Sequence, residues 1–176
     1  MNKDLADVLG NFVSRVTKFC AAKFGTEVPG AGEYGPAEHA LIADLQTRLE
    51  AYQRHMDAID IRKSTAELRG IWAAGNEYLQ AAAPWTVFKT DPDRAAAIIR
   101  LALNLIPVYG VLSAPFIPDA AKTIAKAMDC TAEWPSNMQI ALAGLAPGHA
   151  FTVPEVMFAK ITDEAREELE NRFAGR

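Results

Sequence analysis

Apolar residues return every three or four positions along almost the whole chain, and no stretch alternates them by two. That period belongs to helices resting one face on a core, so the sequence predicts an all-α protein with no strand. Leu5, Val8, Leu9, Phe12, Val13, Val16, Phe19 and Cys20 form one amphipathic stripe. The same spacing predicts a helix over about 37–57, with Leu41, Ile42, Leu45, Leu49, Tyr52 and Met56 inward. Another runs over about 61–82, through Leu68, Ile71, Trp72, Ala74, Tyr78 and Leu79. Pro84 ends it, because the residue ahead of a proline avoids the helical region. Asp91 as cap and Pro92 in the first position start a fourth helix that runs to about Ser113. Pro115 and Pro118 break the chain before a fifth, over about 119–128. Residues 129–160 read as loop with short turns, and Thr162-Asp163-Glu164 opens a polar helix ending near Phe173. The expected architecture is an antiparallel bundle of about five helices over residues 1–128. Residues 129–176 are expected as a C-terminal extension, its helix included, folding back on the bundle within the same domain.

Composition bounds the function. The chain has 176 residues, 50% hydrophobic, which fits one domain with a sizeable core. No uninterrupted apolar run reaches about eighteen residues, so no membrane span is expected, and the N-terminus lacks the apolar core of a secretory signal. Cys20 and Cys130 are the only cysteines and have no metal-ligand spacing. Cys20 falls on the apolar stripe, where a small buried thiol is expected, and a reducing, cytoplasmic setting fits. The net charge of −4 argues against a strongly basic nucleic-acid binder. It leaves room for a local positive patch, with weak affinity expected of this chain alone because few phosphates are neutralised.

Enzyme constellations are missing from the sequence. His39, His55 and His149 are dispersed, with no His-x-x-x-His or Cys-x-x-Cys pair to ligate a metal. There is no Gly-x-Ser-x-Gly elbow and no phosphate loop ending in Gly-Lys-Ser/Thr. Gly30-Ala31-Gly32-Glu33-Tyr34-Gly35 matches a dinucleotide fingerprint by letter only. No strand precedes it, Pro29 abuts it, and Glu33 would face a phosphate. Asp57 and Asp60 read as helix caps. Neither a catalytic centre, a metal nor a cofactor is expected of this chain.

Two fragments carry a binding signal instead. Asn11-Phe12-Val13-Ser14-Arg15 places an amide and a guanidinium four residues apart on the polar side of the first helix. Asn76-Glu77-Tyr78 and Ala83-Pro84-Trp85 place an amide and an indole at the end of the third. An indole plate with donors beside it suffices to hold one splayed-out nucleotide. Each group also has an ordinary reading: Trp85 as a staple for its loop, Arg15 in an ion pair with Asp4 or Asp7, and Asn76 in a structural hydrogen bond to backbone.

A resemblance joins the fragments. Residues 4–15 resemble the first helix of the anticodon-binding domain of methionyl-tRNA synthetases, a class I family. Ala74-Gly75-Asn76-Glu77-Tyr78, continuing through Ala83-Pro84-Trp85 to Lys89, resembles that domain's third-helix exit, and Met157-Phe158-Ala159-Lys160-Ile161 its Leu-Phe-Pro-Lys-Ile closing segment. The resemblance covers essentially the whole chain. It implies a helical-bundle domain that reads the CAU anticodon of methionine tRNAs. Trp85 would stack on the first anticodon base, a cytosine, and Asn11 and Arg15 would meet that base's polar edge. Asn76 and Pro84 would support the Trp85 loop, and Lys18, Lys89 and Arg100 are candidates for phosphates. The family's His-Ile-Gly-His and Lys-Met-Ser-Lys-Ser type motifs do not occur here. The chain therefore resembles the C-terminal part of a synthetase whose catalytic domain, with its ATP and magnesium, lies elsewhere. A stand-alone helical interaction protein reusing the fold is the alternative. The Asn11/Arg15 spacing and Pro84-Trp85 argue against a sister synthetase for isoleucine, valine, leucine or cysteine.

Overall fold

The computed structural model describes residues 2–131 and 133–173. Helices build it, and among the described residues the one extended pairing is an isolated antiparallel bridge between Glu27 and Ala150. A π-wound stretch, Asn2–Gly10, runs directly into α1 (Asn11–Lys23). There follow α2 (Pro36–Asp57), α3 (Ile61–Ala82), α4 (Pro84–Val87), α5 (Pro92–Ser113), α6 (Pro118–Ala127), α7 (Met138–Ala141) and α8 (Asp163–Phe173).

Two of the expected caps act, while Asp57, expected as a cap beside Asp60, is instead the last residue of α2. Asp60 accepts from the Lys63 amide at 3.1 Å to start α3, and Asp91 accepts from the Arg94 amide at 2.9 Å to start α5. The α5 helix is the axis of the core, buried along nearly its whole length and continuing through Pro107. By length and mean hydropathy (1.8) it is apolar enough to cross a membrane, although no unbroken apolar run announces it. Burial decides its role: 89% of that window lies inside the protein, as in a core helix. Tyr109 of α5 ties three elements together. Its ring centroid lies 5.2 Å from that of Phe12, and its hydroxyl donates to the Ile71 carbonyl at 3.3 Å. It reaches α3 because Gly75 has no Cβ, which would collide with the hydroxyl.

The segment beyond α6 returns to the bundle. Met138, Leu142, Leu145 and Phe151 join the same core. Asn104 of α5 donates to the Leu145 carbonyl at 3.2 Å and accepts from its amide at 2.7 Å. The last helix, α8, has no buried residue. The Cys20 thiol is buried as expected, and burial pushes it up to about 12.

Candidate nucleic-acid interface

The site begins at a strained turn. Ala83 closes α3 in the left-handed region (φ 41, ψ 59), a conformation costing a side-chain-bearing residue about 1–2 kcal/mol. Pro84 then starts the single turn of α4 with its preset φ. The reversal turns α4 toward α1, and Phe88 fixes it there. The Phe88 ring stands edge-on to Phe24 and Phe19, centroids 5.3 and 6.1 Å away, and Lys23 lies 5.5 Å over it. Trp85 is partly buried against the core. The Arg15 guanidinium carbon stands 4.5 Å from its ring centroid.

Arg15 is available for this contact because nearby carboxylates are engaged elsewhere. Asp4 pairs with Arg69 at 2.9 Å and Asp7 with Lys160 at 2.5 Å. The ion pair that could have absorbed Arg15 is therefore not made. Asn11, one turn earlier, is exposed, and no hydrogen bond of its side chain is present among the described residues. The structure thus brings Trp85 onto Arg15 and keeps Asn11 on the adjoining turn of the same helix.

Asn76 stands elsewhere. Its amide donates to the Trp72 carbonyl at 3.0 Å and to the Val8 carbonyl at 3.3 Å. Passing from a π-wound to an α-helical turn skips one backbone acceptor, and Asn76 supplies a donor beside that junction. It supports the helix that carries Asn11, not the Trp85 loop as expected. Pro84 stands at the α3–α4 turn, immediately ahead of Trp85.

The phosphate candidates divide. Lys18 and Lys89 are exposed, with no side-chain partner among the described residues. Lys23 joins them through its place over Phe88, although nothing in the sequence linked that lysine to Trp85. Arg100 is not a free cation. Its fork donates to the carbonyls of Pro29 (3.4 Å), Ala31 (2.9 Å) and Gly32 (2.8 Å), and lies 5.0 Å over the Tyr34 ring. The glycine-rich loop that mimics a dinucleotide fingerprint is thus folded around an arginine, and Arg100 leaves the list of phosphate contacts.

A buried charge cluster escaped the sequence reading. Glu38, in the first turn of α2, is fully buried. It accepts from the Gly35 amide at 2.7 Å, from Arg94 of α5 at 2.7 Å, and from the Tyr78 hydroxyl of α3. Burial pushes its carboxyl up, but the hydrogen bonds from Arg94, Tyr78 and Gly35 outweigh this and hold it below the usual range. The cluster clamps the end of the bundle where α3 leaves for α4 and α5 begins.

The closing segment meets the first motif. Phe158 packs where Gly10 has no side chain, since a Cβ there would lie 3.1 Å from the ring. With the Asp7–Lys160 pair, this seats residues 156–160 along the helix that carries Asn11.

Comparison with known proteins places the fold. Residues 28–176 match the family model described as the anticodon binding domain of methionyl tRNA ligase. The methionine–tRNA ligase of Jannaschia sp. (strain CCS1) is 69% identical over 175 residues, 99% of this chain and 30% of that protein. That of Ruegeria pomeroyi is 66% identical over 176 residues, 99% of this chain and 31% of that protein. Among solved structures, Mycobacterium tuberculosis methionyl-tRNA synthetase in complex with methionyl-adenylate superposes with a TM-score of 0.78 at 26% identity. That match covers 90% of this chain and 32% of the other. The fold is that of a helical anticodon-binding module. The chain belongs to the family of anticodon-binding domains of methionyl tRNA ligases. It spans about a third of the length of the relatives it matches.

Proposed function

We propose that this chain reads the CAU anticodon of methionine tRNAs as the C-terminal domain of a methionine–tRNA ligase working in cytoplasmic translation. The contact between Trp85 and Arg15 carries the proposal. An indole face takes a base by stacking, worth about 1–3 kcal/mol per base. A guanidinium fork beside it presents two donors to the O2 and N3 acceptors of cytosine. Uracil offers a donor at position 3, which repels that fork, so the first base is distinguished. Asn11 adds a second polar group one turn away. Lys18 and Lys23 on the helix of Arg15, and Lys89 just beyond the turn of Trp85, are exposed cations through which a chain of net charge −4 can approach RNA. Methionine activation with ATP and magnesium belongs to a catalytic domain outside this chain, which itself uses no cofactor.

The test is a titration at fixed salt of an anticodon stem-loop carrying CAU against one carrying UAU. Binding that falls at least tenfold for UAU supports the reading. Equal binding to both, or none even at low salt, favours instead a helical module that docks onto another protein.

A further inference from the structure

The closing segment and the anticodon helix border an open cleft of about 450 Å³ lined by Asp7, Asn11, Ser14, Met157, Phe158 and Lys160, among others. Its size falls within the roughly 300–1,000 Å³ of small-ligand sites. Asn11 forms part of its wall, and Arg15 with its indole partner lies one helical turn further on. The cleft therefore adjoins the first-base plate along a single helix. Its lining is mixed: an apolar wall from Met157 and Phe158 faces a carboxylate, an amide and a hydroxyl. No side-chain hydrogen bond of Asn11 or Ser14 is present among the described residues. Asp7 engages Lys160 through Oδ1, and no partner of its Oδ2 is recorded among the described residues.

We propose that this cleft receives the second anticodon base, and that Asp7 recognises its exocyclic amine. This rests on the anticodon reading given above. An ionised carboxylate only accepts hydrogen bonds, so it selects a base edge that donates, and the N6 amine of adenine does. A hydrogen bond to a charged group is stronger than a neutral one. Lys160 then does two things: it holds the closing segment against α1, and it places a cation at the cleft edge.

Three stem-loops test this at fixed salt: CAU, the same loop with purine riboside (adenine without its amine) in second place, and UAU. Wild-type protein is expected to bind the purine-riboside loop about tenfold more weakly than CAU, equivalent to about 1.4 kcal/mol. Asp7→Ala is expected to weaken CAU by the same factor and to bind both loops equally. Lys160→Ala, which also breaks the ion pair, keeps the preference for the amine. This separates recognition by Asp7 from loosening of the tail. Uniform tightening of Asp7→Ala on all loops, as expected from simply removing a negative charge, overturns the proposal. So does a wild type indifferent to the amine. If UAU still binds weakly in those cases, the first-base reading stands and only the second-base site is lost. If UAU binds as well as CAU, both fall.

Discussion

The guanidinium of Arg15 lies over the indole of Trp85, 4.5 Å from the ring centroid, joining an α1 side chain to one from α4. In the free domain the fork thus covers an indole face. On the proposed reading, a base stacking on that face would displace it, at a cost of about 0.5–1 kcal/mol of cation–π attraction. The arginine would then lie within reach of the base edge. Stacking at about 1–3 kcal/mol would offset the exchange.

Arg15→Lys keeps the charge but loses the planar fork. Its affinity for the CAU stem-loop should fall about tenfold, a loss of about 1.4 kcal/mol, with the circular dichroism spectrum unchanged. Equal affinity of the two proteins would remove Arg15 from base recognition.

Asn76→Ala removes the donor that serves the Val8 and Trp72 carbonyls. A buried acceptor left unpaired costs about 1–3 kcal/mol, and Asn76 is half-buried, so a loss near 1 kcal/mol is expected. Hydrogen exchange should accelerate mainly across residues 2–10. Acceleration confined to the Trp85 turn would restore the role first expected of it.

Glu38 makes stability depend on pH. Its folded carboxyl titrates below the ordinary value of about 4.3, so the unfolded chain binds more protons at acid pH. The stabilisation is complete above that unfolded value and fades as pH falls through the lower, folded one. Glu38→Gln should destabilise the domain by about 2 kcal/mol near neutrality. This is a modest figure because the Arg94 side chain is 31% exposed and partly screened. In denaturant titrations the gap between wild type and Glu38→Gln should stay level from about pH 6 to 8 and narrow below about pH 4. A gap independent of pH would show that Glu38 acts by shape alone.

Much of this was legible in the residue order, for identifiable reasons. Helix extents follow apolar spacing, and their starts follow short-range chemistry such as Asp60, Asp91 and Pro92. The meeting of Arg15 with Trp85 follows from two motifs with a shared family pattern. Features that depend on distant partners were not readable. Arg100 resembles any basic residue until loop carbonyls surround it. The Glu38 cluster draws on three helices and the loop before α2, and only Gly35 and Glu38 are close in sequence. The π winding of residues 2–10 has no sequence signature of its own, and α4 and α7 are single turns too short for a period to register.

Ile59 offers a test of backbone strain. It is a β-branched residue at φ 57 with 79% of its surface exposed, so it is strained and contributes little packing. Ile59→Gly should raise stability by about 1 kcal/mol, the steric relief exceeding the added freedom of the unfolded chain. A shift of the urea midpoint to higher concentration checks this, and a lower midpoint contradicts it.

The most direct test of base recognition at the Arg15–Trp85 plate is a double-mutant cycle between protein and RNA. Wild type and Trp85→Ala are each titrated with CAU and UAU stem-loops, with helical content verified for both proteins. If the first base rests on this indole, the two changes are coupled by about 1–3 kcal/mol, and Trp85→Ala binds both loops alike. If they add within about 0.5 kcal/mol, and Trp85→Ala still prefers CAU as strongly as wild type, the base is read elsewhere.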